Sequence, residues 1–291
     1  MIDTAKPVFI IGGSRTGSEM LKTMLTASAE IDLVDELFLM FPRWLHKDLD
    51  SNIRKYVGKL SNPGSLDRLM DLLYSKRLYG WFWSVVDREL DRKMLYQELV
   101  NTELDLRSVF QAIMVVHARM RGKNRIGAKF PIHYSYTDKL LQWYPECRII
   151  HTTRNPKAVY ASQAAKYITD DHDAVARGLI RFQHFVHINI QTWWTARWHR
   201  RLCQRPNYCL ARYEDIVRNP GAELRRICRF AEVEFIEAML QPHQYGSSFD
   251  TIAGGKGVNP SSLDRWRVSI SPTTARLIDL AHRSAIKSFG Y

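Results

Sequence analysis

The sequence predicts an α/β fold: a central parallel sheet flanked by helices, with a helical insertion between the second and third strands. Three observations predict it. Short strand-like runs recur at 7–11, 31–34, 125–129, 148–153 and 207–210, the first rich in β-branched residues and each too short for a helix. Helical periodicity fills the stretches between them. The first run stops at Gly12-Gly13 and passes through a tight loop into a helix, the strand–loop–helix order that opens many parallel sheets. No linker-like stretch divides the 291 residues, so a single domain spanning 1–291 is expected, with 40–120 as the insertion.

The first element carries the chemistry. Residues 7–11 read as a buried strand, Gly12-Gly13-Ser14-Arg15-Thr16-Gly17-Ser18 as a loop, and Leu21, Met24, Leu25 and Ser28 as one face of the following helix. The first amides of a helix lack internal partners and the dipole is positive there, which makes a phosphate site. The loop is P-loop-like but departs from G-x4-G-K-[ST]: Ser18 and Glu19 follow Gly17 where a γ-phosphate lysine and a magnesium-binding hydroxyl would stand. The nearest cation, Arg15, lies inside the loop, which suits one phosphate with an attached group better than a triphosphate with Mg²⁺. A Gly-rich turn that merely connects strand to helix has the same sequence.

Composition bounds the rest. The formal net charge of +12 favours an anionic ligand, a nucleic acid or a membrane surface, and equally describes scattered solubilising charge. No apolar run approaches the ~18 residues of a membrane span. The strand begins too near Met1 to leave room for a signal peptide, and Cys147, Cys203, Cys209 and Cys228 lack metal-like spacing. A cytoplasmic protein without structural metal is expected.

Along the chain, Asp35-Glu36 follows the second strand directly, where parallel sheets place ligands; a carboxylate there is a candidate general base, or a cap on a helix starting near Leu37. Residues 37–57, 66–73 and 104–120 read as helices, the last with Val109, Ile113, Val116 and Met120 on one face, and Tyr79-Gly80-Trp81-Phe82-Trp83 as core or as the lining of an acceptor pocket. Lys129 ends the third strand. Arg154 ends the fourth, and Asn155 and Pro156 are a good N-cap and first helical residue. Ser162 lies two turns on, so a guanidinium and a hydroxyl there suit a second phosphate. The long helix over 174–200 carries Leu179, Phe182, Val186, Ile190 and Trp193 as a stripe that reads as core. Arg181, His184 and His187 flank it without a carboxylate or cysteine to complete a metal site. Residues 243–262 read as a Gly-rich loop, with Lys256 placed to close on an anion or simply exposed. In the last helix Leu277, Leu280, Ala281 and Ala285 read as inward-facing.

Together these pieces resemble the sulfotransferases that use 3′-phosphoadenosine 5′-phosphosulfate (PAPS). The family's first loop stands here as Gly13-Ser14-Arg15-Thr16-Gly17-Ser18, with Ser14 replacing the usual Pro and Glu19 a common Thr or Ser. Its Arg-x-Pro-x5-Ser signature stands as Arg154, Pro156 and Ser162. Gly127-Ala128-Lys129-Phe130-Pro131, Arg212-Tyr213-Glu214-Asp215 with Pro220, and Arg265-Trp266-Arg267 followed by Phe289-Gly290-Tyr291 also look like family segments. The likeness is nearest to bacterial members and to the protein-tyrosine sulfotransferase branch.

The resemblance implies the mechanism. Gly13–Ser18 would hold the 5′-phosphosulfate, Arg154 and Ser162 the 3′-phosphate, and Lys256, before Val258-Asn259, would lie near the donor. Glu36 falls where the tyrosine branch has its catalytic base; His133, after the third-strand lysine, is the rival on the pattern of the cytosolic enzymes. Arg15 and Lys129 would stabilise developing negative charge. The donor would be PAPS, the product adenosine 3′,5′-bisphosphate (PAP), with no metal. The partner would be a hydroxyl acceptor: a sugar, a lipid or polyketide alcohol, a phenol or a peptide tyrosine. No nucleic-acid partner is expected. A P-loop kinase or NTPase, and a non-catalytic anion- or nucleotide-binding protein, are the alternatives. The sequence gives no reading of oligomeric state.

Overall fold

The computed structural model describes residues 2–35, 49–75, 89–169, 171–241 and 260–291. Five strands, β1 (Asp3–Gly12), β2 (Val34–Asp35), β3 (Arg125–Lys129), β4 (Arg148–Thr153) and β5 (Tyr208–Arg212), form one sheet in the order β2-β3-β1-β4-β5. The pairings of β3 with β1 and with β2 are parallel. Helices α1 (Ser18–Thr26), α2 (Leu49–Tyr56), α3 (Ser65–Leu73), α4 (Arg92–Val100), α5 (Leu106–Met120) and α6 (Thr137–Trp143) precede β4. After it come α7 (Pro156–Tyr167), α8 (Ala174–Leu202), α9 (Tyr213–Arg218), α10 (Pro220–Ala231), α11 (Trp266–Ser269) and α12 (Pro272–Ser288). The α/β architecture is the expected one, and α2 to α5 occupy the expected insertion between β2 and β3.

The chain divides into two compact units. The first comprises residues 1–10 and 28–149. Its core is aromatic: Phe9 of β1 lies 5.8 Å from Phe130 and 5.7 Å from Tyr144, ring centre to ring centre, and Phe110 of α5 is 5.8 Å from Phe130. The register sets Ile10 beside Lys129 and Asp35 beside Lys129, so the last residues of β2 and β3 meet at one sheet end. Asp32 reaches the buried Nδ1 of His117 and ties the approach to β2 onto α5.

The second unit comprises residues 11–27 and 150–291. Here α8 packs against α7 and α12. Val159, Tyr160, Ile188 and Ile278 form one buried cluster and Ala196, Ala285 and Phe289 another. Asn155 caps α7 as expected, accepting from the Lys157 amide at 3.0 Å, with Pro156 in the first turn. All four cysteines are free. Among the described residues no helix is long and apolar enough to cross a membrane.

Several expectations are corrected. The first strand begins at Asp3 rather than Pro7, and the second comprises Val34–Asp35, with Ile31 forming an isolated bridge to Arg125. The stripe of α8 expected in the core faces outward: Leu179 is 65% and Phe182 67% exposed, and Val186, Ile190 and Trp193 are exposed too. The buried side of α8 carries Ile188, Ala196 and Leu202 together with His184, Gln191, Thr192, Thr195 and His199, and the bonds that Gln191, Thr195 and His199 make inside help to orient this helix. In α12 Ala285 is buried, but Leu277 and Leu280 are exposed, because Ile278, His282 and Ala285 form the inward edge. Met120 is exposed at the end of α5, where Val109, Ile113 and Val116 are buried. Glu36, the helix expected to start near Leu37, the aromatic run 79–83 and Lys256 lie outside the described residues.

Candidate active site

The loop between β1 and α1 is built for close approach. Gly17 caps α1 in the left-handed region (φ 90°), and a Cβ there would stand 2.5 Å from Cδ2 of Tyr213. A Cβ on Gly13 would stand 2.2 Å from Nε2 of Gln191. No side chain caps the N-terminus of α1, so the loop meets an uncapped, positively polarised helix end. Thr16 Oγ1 donates to the Gly13 carbonyl at 2.7 Å and lies 2.8 Å from Thr152 Oγ1, folding the loop onto the end of β4. Ser18, the first residue of α1, is buried. Glu19 pairs with Lys22 at 3.3 Å within the helix, the first-turn place where a carboxylate suits the dipole.

Ser14 is held from two helices. Gln191 of α8 accepts from the Ser14 amide and hydroxyl, both at 2.9 Å, and its Nε2 donates to the Ser14 carbonyl at 3.2 Å. Gln163 of α7 donates to Ser14 Oγ at 2.9 Å. Both glutamines are buried.

Arg15 has φ 65°, an uncommon conformation for a residue with a side chain. From there its Nε donates to Ser162 Oγ at 3.0 Å. The cation of the first motif and the hydroxyl of the second are therefore directly bonded. A hydroxyl that accepts from a guanidinium keeps its own O–H to donate. Burial, and then the neighbouring charge of Arg154, lower the pKa of Arg15. Arg154 donates from Nη2 to the Ser262 carbonyl at 3.1 Å and lies 4.1 Å from the centre of the Tyr213 ring, whose hydroxyl is 2.8 Å from Ser262 Oγ. Its Nε is buried with no hydrogen-bond partner. Two guanidiniums thus stand near each other, one with an unanswered buried donor.

The Arg212-Tyr213-Glu214-Asp215 run braces this group. Arg212 Nε donates to Asp215 at 2.5 Å. Glu214 accepts from the Asn155 amide at 2.9 Å and from the Tyr291 hydroxyl at 2.6 Å, fixing the residue after Arg154. In the first unit, Lys129 is buried at the end of β3 and its ammonium lies 2.6 Å from an Asp35 carboxylate oxygen, as the β2–β3 register dictates. His133 lies in a 3₁₀ turn, Pro131–Tyr136.

Arg15 is bonded to Ser162 and lies near Arg154, and Thr16 of the same loop meets Thr152 at the end of β4. Gln163, Gln191, Tyr213 and Ser262 join them without having been singled out. Tyr213 stood in a recognised run; the glutamines have no sequence signature.

Residues 7–237 match the profile of the sulfotransferase family. The chain belongs to the sulfotransferase family. Among solved sulfotransferases, the sulfotransferase domain of the Synechococcus PCC 7002 olefin synthase superposes with a TM-score of 0.62 at 19% identity, covering 99% of this chain and 97% of that one. The sulfotransferase domain of the curacin biosynthetic pathway gives 0.56 at 18%, over 94% and 96%. Mouse sulfotransferase SULT7A1, complexed with PAP, gives 0.51 at 11%, over 99% and 86%. These likenesses speak to the fold. In sequence, sulfotransferase 1 family member D1 of Mus musculus is 27% identical over 143 residues, 45% of this chain and 46% of that protein, so the match spans about half of that relative's length.

Proposed function

We propose that this sulfotransferase-family chain moves the sulfuryl group of PAPS to a hydroxyl acceptor. The observation that carries the reading is the bonded Arg15–Ser162 pair beside Arg154, whose buried Nε has no partner. Like charges held close while partly buried are costly unless an anion joins them. The donors fit PAPS: the loop Gly13–Ser18 with its uncapped helix end would take the 5′-phosphosulfate, and Arg154 with the Ser162 O–H the 3′-phosphate. Lys256 would add a cation near the donor. When bound, PAPS supplies an activated sulfuryl group on a phosphate leaving group.

The chain's residues then divide the work. Glu36 takes the acceptor's hydroxyl proton, with His133 as the rival base. Arg15, and Lys129 positioned by Asp35, stabilise negative charge on the leaving oxygen. Ser18 and Glu19, standing where Lys and Ser/Thr would follow Gly17, match a donor without a γ-phosphate, so the reading calls for no metal.

Calorimetric titration with PAP, with ATP–Mg²⁺ as the control, tests the reading. Micromolar PAP binding in the presence of chelator, and none of ATP, is expected. Arg154→Ala should weaken PAP about tenfold or more while leaving adenosine 5′-phosphosulfate unaffected, the scale of one charged hydrogen bond. Folded protein that ignores PAP would refute the donor assignment. Turnover with labelled PAPS tests the base: Glu36→Gln should lower kcat by about 100-fold with PAP affinity kept. Near-normal turnover would transfer the role to His133.

A further inference from the structure

Helix α8 is apolar on the side that faces water. Its inward side mixes Ile188, Ala196 and Leu202 with His184, Gln191, Thr192, Thr195 and His199, and its outward side carries Val175, Leu179, Phe182, Val186, Ile190 and Trp193. The outward spacings of four, three, four, four and three residues keep these six side chains on one stripe. At 1.5 Å per residue the stripe is about 27 Å long. The hydrogen bonds to Ser14 and Tyr208 account for the polar side. Nothing among the described residues of the second unit requires the outer side to be apolar, and a continuous apolar stripe facing water marks an interaction surface.

The charges around it select the partner. Helix α8 contains no acidic residue and five arginines, Arg177 and Arg181 before the centre of the stripe and Arg197, Arg200 and Arg201 beyond its end. Arg197, Arg200 and Arg201 continue the line of the stripe past Trp193, whereas Arg177, its Nε buried, and Arg181 lie on the other side of the helix. A second copy packed parallel would set the three stripe arginines against themselves. The exposed Trp193 and Trp194 rings meet edge to face at 4.9 Å, with the Arg197 guanidinium 5.9 Å from Trp193, an indole–arginine pairing suited to the level of lipid headgroups. A convex apolar ridge needs a groove in a protein partner, whereas a fluid bilayer shapes itself around one. We propose that the outward face of α8 seats the protein on an anionic lipid surface, the apolar stripe entering the headgroup–acyl boundary and the arginines pairing with lipid phosphates. The net charge of +12 acts in the same direction. This surface is independent of the proposed sulfuryl transfer.

Flotation of the full chain with vesicles tests it, comparing phosphatidylcholine alone with phosphatidylcholine containing about a third phosphatidylglycerol. Binding to the anionic vesicles is expected to be about tenfold stronger or more, and to fall with added salt. The pair Phe182→Glu and Ile190→Glu should abolish it, and the pair Arg197→Glu and Arg200→Glu should weaken it about tenfold or more. These side chains are exposed, so unchanged circular dichroism and PAP titration will separate lost docking from lost folding or a failed donor site. Wild-type protein that ignores both vesicle types, or variants that float as well as wild type, would overturn the proposal. So would a dimer, seen by light scattering without vesicle binding, that the Phe182→Glu and Ile190→Glu pair converts to monomer; that result would assign the face to a second copy.

Discussion

Ser14 occupies the position where the resembled loop carries proline, and its partners explain how the loop keeps its shape without one. A proline would fix φ and offer no N–H. Here the N–H is present and used: the Ser14 amide and hydroxyl both donate to Gln191 Oε1, and Gln191 Nε2 returns a bond to the Ser14 carbonyl. Rigidity comes from α8 rather than from the loop's own ring. Gln191→Ala should therefore leave three polar atoms of Ser14 without their partner, lowering stability by about 1–3 kcal/mol. The KM for PAPS should rise about tenfold while the acceptor KM is unchanged, because the loop loses preorganisation. Urea melts and initial-rate kinetics check both; an unchanged PAPS KM with lowered stability would make Gln191 a packing residue only. Ser14→Pro should not restore the family loop, since it removes the amide that Gln191 accepts from. Arg15, Arg154 and Ser162 were legible in the sequence because their spacing from glycines and a proline is distinctive. Gln163 and Gln191 were not, because a glutamine on a helix announces nothing until the fold brings it to its partner.

At the scale of elements, the strands were legible and the facing of helices less so. Runs such as Arg148–Thr153 are short, β-branched and ended by Arg154-Asn155-Pro156, a strand followed by a capped helix, and the structure keeps them. Register was not readable: only the pairing of β2 with β3 sets Asp35 beside Lys129 and gives the lysine its carboxylate. Periodicity located the stripe on α8 but could not say which way it faces. An apolar stripe turns inward when burial is the strongest term acting on the helix. On α8 that term competes with Gln191 and His199 on the opposite side, each holding buried hydrogen bonds that would be left unmade if the helix turned. In α12 too the inward edge holds a histidine, His282, while Leu280 is 73% exposed, though there, among the described residues, no bond to the histidine accounts for the facing.

Stability against acid belongs to the whole molecule, because global unfolding exposes every buried histidine at once. The clearest case joins β4, β5, α8 and the end of α12. His199 Nε2 faces the Ser288 carbonyl at 3.0 Å, so that nitrogen carries the proton. His199 Nδ1 then accepts from the Tyr208 hydroxyl at 2.8 Å, and Tyr208 oxygen accepts from His151 Nδ1–H at 2.7 Å. His151 Nε2 is left bare of a proton, buried and without a partner. Charging it would place an unanswered cation in the core. Burial, and then His199, accordingly push His151 down to about 3 from its ordinary 6.5, and burial lowers His184, His187, His199 and His282 as well. The folded pKa of His151 lies below the unfolded one, so below pH 6.5 the unfolded chain binds a proton that the folded chain refuses. Its contribution to stability is complete above pH 6.5 and is lost as the pH falls from there toward about 3. One such histidine gives a slope of up to about 1.4 kcal/mol per pH unit, and the other histidines add in the same direction. Urea unfolding at pH 8.0, 6.5 and 5.0 should give nearly equal stabilities at the two higher values and a marked fall at the lowest. His151→Gln, which keeps a donor for Tyr208 and cannot titrate, should be less stable at pH 8.0 but should lose less on acidification. A midpoint independent of pH, or an equal acid loss in His151→Gln, would show that the folded protein accepts a proton on His151 as readily as the unfolded chain does.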